Sequence, residues 1–305
     1  MSAITSVSLI GAGAIGSYYA SKLFDLDRDC ISLIAGGKRY DRLEKEGFIV
    51  NERHFSIPLI RPGDEKGPAD LVIVAVKHDQ LPDAIGDIKN RVGEKTIILS
   101  IMNGIDSEEA IGAVYGMDRV LYGVAVGIDA VRVGNSVIYS KDGILFFGEG
   151  ENAAPSERVR LIKDLFDRAG IVSETPQDMI RTLWWKFMIN VGINQTSAIL
   201  GAPYGVFQQS PNARNLVDSA MREVTAIAAA AGVHIDEDDV KQWNEILSGL
   251  SPEGKTSMLQ DVEARRKTEV EMLAGTVIRL GRKYNIPTPV NETLFNFITV
   301  IEQSF

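Results

Sequence analysis

The first part of the chain alternates between short apolar runs and amphipathic segments. Apolar runs at 5–10, 30–35, 69–76 and 96–100 have the length of strands, and segments with helical spacing, such as 80–91, lie between them. The run ADLVIVAV at 69–76 has no polar alternation, which is typical of a strand buried on both faces of a parallel sheet. Strands that alternate with helices predict a doubly wound α/β domain.

The pattern changes twice further along the chain. Residues 120–148 are β-rich and carry Gly-Asn and Asp-Gly turn signals, so we expect hairpins that close one edge of the sheet. From Pro176 onward the pattern is helical almost throughout. We therefore predict two domains, residues 1–175 and an all-α domain of residues 176–305. The predicted helices of the second domain are 177–200, 210–232, 236–248, 257–284 and 290–303.

One predicted helix carries an unusual row of polar residues. The segment LWWKFMINVGINQTSAI at 183–199 is apolar, yet Lys186, Asn190 and Asn194 recur in it at four-residue spacing. On an α-helix these side chains lie along one face. The row is either a functional face or a lysine that reaches solvent with two asparagines that cap neighbouring loops.

A second long helical pattern runs over 255–275. Glu263 and Lys267 would form an i to i+4 pair on its solvated face. Ser257 and Glu269 would lie within about 120° of each other around this helix, given its step of about 100° per residue. A rigid helix could thus present both side chains inward.

Composition and charge narrow the class of ligand. The chain has 305 residues and a net charge of -9, which disfavours nucleic acid and anionic membrane surfaces as partners. Cys30 is the only cysteine, so an intrachain disulfide is excluded and a cytoplasmic location is expected. We expect neither a signal peptide nor a membrane span, and we predict no metal site. Small molecules are the expected ligands.

A glycine-rich turn follows the first predicted strand. Gly11, Gly13 and Gly16 spell GxGxxG at the head of a helix. The first glycine permits the tight turn, the second lets a pyrophosphate approach the backbone, and the third allows close helix packing. The helix N-terminus attracts the phosphates. We predict a Rossmann-type dinucleotide site made by Gly11, Ala12, Gly13, Ala14, Ile15 and Gly16.

The end of the second strand bears on the choice of cofactor. NAD sites usually place an acidic residue there for the ribose 2′-OH, but this chain has Ala35 and Gly36, followed by Lys38 and Arg39. Basic side chains pair with a 2′-phosphate, which favours NADP(H) over NAD(H). The alternative is that both basic residues belong to a solvated helix start.

Polar residues also follow two other strands. Lys77 comes directly after VIVAV, and Asn103 follows TIILS and IM. Ligands of open α/β sheets bind outside the carboxyl ends of the strands. Each residue alone could equally cap the next helix, but their shared placement favours a role in ligand binding.

These motifs together resemble the ketopantoate reductase family, the 2-dehydropantoate 2-reductases. The resemblance covers nearly the whole chain through GAGAIGSYYA, VKHDQL, MNGIDSEE, LWWKFMINVGINQTSAI, TSMLQDVEARRKTEVEMLAG and IPTPVNETLF, in family order. It implies a Rossmann-type N-terminal domain, an all-helical C-terminal domain and a homodimer. It also implies reduction of 2-dehydropantoate to pantoate with NADPH, in pantothenate and coenzyme A biosynthesis.

The resemblance also implies roles for individual residues. Lys186 matches the family's proton donor. Positions that bind substrate are matched by Asn190, Asn194 and Ser257. Positions that contact NADP are matched by Lys77, Asn103 and Glu269.

Two positions depart from the family pattern. Gly36 stands where many members have an arginine for the 2′-phosphate, so Lys38 or Arg39 would have to replace it. Tyr204 in GAPYG stands where some members have a further substrate-binding asparagine. Two alternatives therefore stay open: an NAD-dependent D-2-hydroxyacid dehydrogenase of the mandelate type, and a non-catalytic cofactor-binding regulatory module.

Overall fold

The computed structural model describes residues 3–305, which divide into two compact units, the first ending at Ile180 and the second spanning Arg181–Phe305. The strands, all in the first unit, are β1 (Val7–Ile10), β2 (Ile31–Ile34), β3 (Phe48–Val50), β4 (Arg53–Phe55), β5 (Leu59–Ile60), β6 (Leu71–Val74), β7 (Ile97–Ser100), β8 (Val120–Val126), β9 (Val131–Val133), β10 (Ser136–Ile138), β11 (Ile144–Gly148) and β12 (Ser173–Glu174). The helices of this unit are α1 (Ala14–Leu26), α2 (Gly37–Glu46), α3 (Leu81–Asp87), α4 (Ser107–Tyr115) and α5 (Glu157–Arg168), with 3₁₀ turns at His78–Gln80, Lys89–Arg91 and Met117–Arg119.

The main sheet has eight strands in the order β12-β11-β8-β7-β6-β1-β2-β5. All neighbours from β5 to β8 are parallel, and β11 pairs antiparallel with β8. Successive residues of one strand enter different cores: Leu9 and Ile73 pack in one apolar cluster, Ile10 and Val74 in the other. This confirms the α/β prediction and the burial of the central strands on both faces.

We had expected the segment at 120–148 to close one edge of the main sheet. Instead, its strands are divided between two sheets. Strands β8 and β11 do extend the main sheet, but the β9–β10 hairpin joins a separate sheet of order β4-β3-β10-β9. Strand β3 provides the partner, with Ser136 opposite Ile49 in the parallel register. The prediction was wrong for 131–138 because β3 and β4 were not recognised in the sequence.

The second unit is helical. Its helices are α6 (Met179–Ile189), which begins two residues before the unit boundary, α7 (Gln195–Leu200), α8 (Tyr204–Gln209), α9 (Pro211–Ala230), α10 (Glu237–Ser248), α11 (Ser257–Glu263), α12 (Thr276–Tyr284) and α13 (Pro289–Gln303). A first π-helical segment spans Asn190–Asn194 and a second spans Glu271–Gly275. None of the helices within residues 3–305 is long and apolar enough to span a membrane.

The helix predicted over 257–284 is broken. It ends at Glu263, and Arg265 has a left-handed φ of 49°, which an α-helix does not accommodate. The backbone N–H and the hydroxyl of Thr268 then donate to Glu302 Oε1 at 2.7 and 2.6 Å. The prediction of one continuous helix was wrong because these tertiary bonds hold the chain in a non-helical path.

The helix predicted over 177–200 is also interrupted, by the first π-helical segment. Gly192 lies in this segment, and a Cβ there would be 2.7 Å from Met221 of α9. Met221 is fully buried in the helical core. Close packing on α9 therefore depends on glycine at this position.

Candidate active site

The glycine loop has the geometry of a dinucleotide cradle. A Cβ at Gly11 would lie 2.5 Å from the carbonyl carbon of Ala75, and one at Gly16 would lie 2.0 Å from the Gly11 oxygen. A Cβ at Gly13, by contrast, would meet nothing within 4 Å. Gly13 is also the N-cap of α1, where it has no side chain that could cap the free backbone N–H groups. The loop thus packs tightly against Ala75 at Gly11 and leaves open space around Gly13 at the helix N-terminus. A pyrophosphate fits in this space.

A cavity of about 300 Å³ adjoins the carboxyl ends of β1 and β2. Its walls include the apolar side chains of Ile10, Ile34 and Val76, together with Gly36 and Arg39. It lies where the strand order of the parallel sheet reverses, between β1 with β2 on one side and β6 on the other. Open α/β sheets bind their ligands at this switch point.

The two basic residues at the start of α2 differ in surroundings. Arg39 lines the cavity, and its Nη2 donates a hydrogen bond to Gln80 Oε1 at 3.3 Å. Lys38 is exposed and has no hydrogen bond or ion pair with any residue from 3 to 305. Of the two residues named for a 2′-phosphate, Arg39 is the better placed.

Sequence reasoning missed Arg132, which reaches the glycine loop from β9. Its Nη1 donates a hydrogen bond to the carbonyl oxygen of Ala12, and its Nε donates to the Gly134 oxygen at 2.9 Å. Burial lowers the pKa of Arg132, and the nearby charges of Arg42 and Arg39 lower it further. No local pattern identifies this arginine, because its position depends on the second sheet.

Lys77 and Asn103 lie at equivalent positions beyond two neighbouring strands. Val74 of β6 is paired in register with Ser100 of β7, and each polar residue follows three positions later. Lys77 is exposed and Asn103 is half-buried. The structure thus brings both residues to the edge of the sheet at which the glycine loop lies.

A buried carboxyl group lies close to Asn103 in the sequence. Glu108, in the first turn of α4, is 1% exposed and accepts a hydrogen bond of 2.8 Å from the Ser107 hydroxyl. Burial raises the pKa of Glu108 to about 7. Its Oε1 has no hydrogen-bond partner within the described part of the chain. This burial could not be predicted from the sequence, because Glu108 and the exposed Glu109 are adjacent residues of the same type.

In the second unit, the row of polar residues crosses from α-helix into π-helix. Lys186 lies near the end of α6, and Asn190 and Asn194 are the first and last residues of the first π-helical segment. The straight row expected on a regular α-helix is therefore changed in this segment, and π-helical turns recur at functional sites. Asn190 is 5% exposed, and Asn194 makes no capping bond at the start of α7.

Lys186 is set apart by its environment. Its side chain is half-buried, and the loss of solvent around the ammonium group lowers its pKa to about 8. Desolvation disfavours the charged form of a lysine, which explains the direction of this change. A lysine of this kind can hold a proton at neutral pH and release it easily.

Ser257 and Glu269 reach this region on different segments. Ser257 is the first residue of α11, which packs against α7 and the first π-helical segment. Glu269 lies outside α11, shortly before the second π-helical segment, and the two π-helical segments contact each other. The prediction that one helix presents both was wrong. Glu263 Oε1 accepts a hydrogen bond from Lys255 Nζ at 2.7 Å, and Lys267 lies beyond the end of α11.

The described residues form no candidate metal site. Across residues 3–305 no group of three or more His, Cys, Asp or Glu side chains is placed to hold a metal ion.

The glycine loop on a parallel sheet is typical of enzymes that bind a dinucleotide cofactor. Comparison with known families agrees. Residues 7–152 match the model of "Ketopantoate reductase PanE/ApbA", and residues 178–302 match "Ketopantoate reductase PanE/ApbA C terminal". The chain belongs to the ketopantoate reductase family.

Individual relatives cover almost the whole chain. The 2-dehydropantoate 2-reductase of Pyrococcus horikoshii is 27% identical over 308 residues, 97% of each chain. The structure of D-mandelate dehydrogenase with NADH and anilino(oxo)acetate has a TM-score of 0.88 at 22% identity, covering 98% of each chain. A dimeric ketopantoate reductase from Staphylococcus aureus has a TM-score of 0.80 at 24% identity, covering 98% of this chain and 99% of its own. The family relationship supports an oxidoreductase activity for this chain.

Proposed function

We propose that the protein reduces 2-dehydropantoate to pantoate with NADPH, in pantothenate and coenzyme A biosynthesis. The observation that carries the proposal is Lys186, whose pKa is lowered to about 8 in a chain that has both domains of the family. Reduction of a ketone requires a proton for the oxygen, and a desolvated lysine is a suited donor. The neighbouring amides of Asn190 and Asn194 add polar contacts without adding charge.

The first unit would hold the cofactor. The glycine loop and the N-terminus of α1 fit the pyrophosphate, and the adjoining cavity, with apolar and polar walls, fits the adenosine. When bound, NADPH supplies a hydride from nicotinamide C4 to the 2-keto carbon of the substrate. Lys77 and Asn103 would contact the cofactor beyond β6 and β7, and Glu269 would contact its ribose or orient the lysine.

The second unit would supply the proton and hold the substrate. Lys186 would donate a hydrogen bond and then its proton to the carbonyl oxygen as that oxygen gains negative charge. Asn190 and Asn194 would orient the carboxylate and hydroxyl groups of the substrate, and Ser257 would add a hydroxyl contact. The result is a 2-hydroxy acid.

One alternative function, also that of an oxidoreductase, is supported by separate observations. The similarity to D-mandelate dehydrogenase in complex with NADH, together with Gly36 and Tyr204 at positions of family departure, favours an NAD-dependent D-2-hydroxyacid dehydrogenase that acts on another 2-keto acid. A non-catalytic regulatory module is the alternative of another class. Nothing favours it specifically, since Lys186 is retained.

A steady-state assay separates these functions. We expect the purified protein to reduce 2-dehydropantoate faster with NADPH than with NADH, and faster than other 2-keto acids. A preference for NADH and for the keto acid of mandelate would support the dehydrogenase alternative. Tight NADPH binding without reduction of any 2-keto acid would support the regulatory module.

We further propose a cytoplasmic homodimer. The support is the dimeric relative from Staphylococcus aureus and two exposed apolar side chains on α13, Phe297 at 56% and Val300 at 64% exposure. The single, buried Cys30 agrees with a reducing compartment. Light scattering should give twice the mass of the chain, and a monomer at assay concentration would contradict the dimer.

A further inference from the structure

We propose that three arginines, Arg39 and Arg42 on α2 and Arg132 on β9, bind the phosphate monoester on the 2′ position of the cofactor's adenosine ribose. We call these residues the arginine cluster. The inference rests on the proposed use of NADPH and names the residues that would replace the family arginine missing at Gly36.

Hydrogen bonds fix Arg132 beside the glycine loop. Its Nη1 donates to the Ala12 carbonyl and its Nε to the Gly134 carbonyl. Both bonds use Nε and Nη1, and Nη2 donates no hydrogen bond to any residue from 3 to 305. The guanidinium is thus held in place by the backbone and retains donors for an anion, a pre-organised arrangement that suits phosphate recognition.

The other two arginines approach from the end of β2. Arg39 and Arg42 are three residues apart on α2, so their side chains lie on neighbouring positions of one helix face. Arg39 also lines the cavity. Residues that recognise the ribose 2′ position in this class of fold follow the second strand in the same way. A 2′-phosphate therefore fits the cluster better than the pyrophosphate, which the glycine loop serves.

The cluster concentrates positive charge, although the charge of Arg39 also acts on the nearby carboxyl of Asp87. The charges of Arg42 and Arg39 are near enough to lower the pKa of Arg132. Within the described chain none of the three forms an ion pair with a carboxylate. Asp83 and Asp87 also line the cavity, but the hydrogen bond of Arg39 goes to the neutral amide of Gln80. A dianionic phosphate would relieve the repulsion among the three guanidinium groups.

The arginine cluster can be tested by measuring ligand binding in the absence of any reaction. Dissociation constants for NADPH, NADH, adenosine 2′,5′-bisphosphate and ADP are measured by calorimetry on wild type, Arg132→Gln and Arg132→Lys. We expect Arg132→Gln to lose about 10- to 100-fold in affinity for the two 2′-phosphorylated ligands, the range for loss of a charged hydrogen bond. Affinity for NADH and ADP should change less than about threefold on the same scale. Arg132→Lys retains the positive charge, so its affinity for the 2′-phosphorylated ligands should lie between those of wild type and Arg132→Gln.

A matched control removes an arginine from the same sheet. Arg53 on β4 is 65% exposed and pairs with Asp25, so Arg53→Gln should leave all four affinities unchanged. Thermal unfolding of each variant checks that the fold is retained.

Two results would overturn the inference: equal losses for NADPH and NADH, which would assign Arg132 to the pyrophosphate, or no loss for any ligand. The proposed reaction can fail separately. If wild type prefers adenosine 2′,5′-bisphosphate and Arg132→Gln abolishes that preference, the arginine cluster stands even if the wild type reduces no 2-keto acid.

Discussion

The glycine loop of the first unit and the lysine–asparagine row of the second unit carry out their proposed roles by different means. The loop acts through the backbone, and what matters at Gly13 is the absence of a side chain. The row acts through side chains, and what matters at Lys186 is the removal of solvent. A backbone site follows from local sequence, whereas a site tuned by burial depends on the packing of distant segments. The two regions should therefore respond differently to substitution.

The largest effect is expected from Lys186→Ala. Loss of a general acid typically costs about 10²-fold or more in turnover, whereas cofactor affinity should hardly change. The measurement is kcat for the preferred 2-keto acid together with a dissociation constant for NADPH. Lys241→Ala, which removes an exposed lysine paired with Asp238, is the matched control. Turnover near the wild-type value would remove Lys186 from the mechanism.

The next effect concerns a buried carboxyl group of the first unit, that of Glu108. Its pKa rises from 4.5 unfolded to about 7 folded, so between these values the folded state binds more protons than the unfolded state. The unfolding free energy should therefore fall by up to about 3 kcal/mol as pH rises from about 4.5 to 7. Glu108→Gln should remove this fall in urea titrations at pH 5 and pH 8. The exposed neighbour provides the control, Glu109→Gln, which should retain it, and equal slopes in both variants would contradict the prediction.

Two glycine substitutions should separate a binding role from a folding role. At Gly13 a Cβ meets no protein atom, so Gly13→Ala should retain its melting temperature but lose about tenfold in dinucleotide affinity by crowding the phosphate. At Gly11, where φ is 103° and a Cβ would lie 2.5 Å from Ala75, the alanine should destabilise the fold itself. Thermal unfolding and NADPH titration of both variants provide the check. Unchanged affinity in Gly13→Ala would contradict the assignment of the open space to phosphate.

What could be predicted from the sequence follows the same division. The central strands β1, β2, β6 and β7 and the glycine loop follow from local patterns, whereas the short edge strands β5 and β12 were not predicted. The structure confirms the α/β fold. The break after Glu263 did not follow, because it depends on bonds between Thr268 and Glu302. Arg132 was missed for a similar reason: β9 reaches the loop only because β10 pairs with β3, far away in the sequence.

The lysine–asparagine row shows most clearly what cannot be predicted from the sequence. Its residue types and spacing are visible in the sequence, but the π-helical geometry of Asn190–Asn194, and the close packing of Gly192 on Met221, are not. The pKa of Lys186 depends in turn on how densely the surrounding helices pack. A pattern can thus name the residues of such a site without giving their chemistry.

The smallest effect is the pH dependence of turnover, which tests that chemistry directly. A general acid must be protonated to act, and the pKa of Lys186 is lowered to about 8. The protonated fraction, and with it kcat/KM, should fall about fourfold between pH 7 and pH 8.5, whereas a lysine with the ordinary pKa would show no fall in this range. Glu108 titrates near pH 7, so the profile is best measured in the Glu108→Gln background as well. If the fall near pH 8 persists there, it belongs to the lysine. If it disappears, the buried carboxyl of the first unit controls the pH response, and the division of roles between the two regions fails.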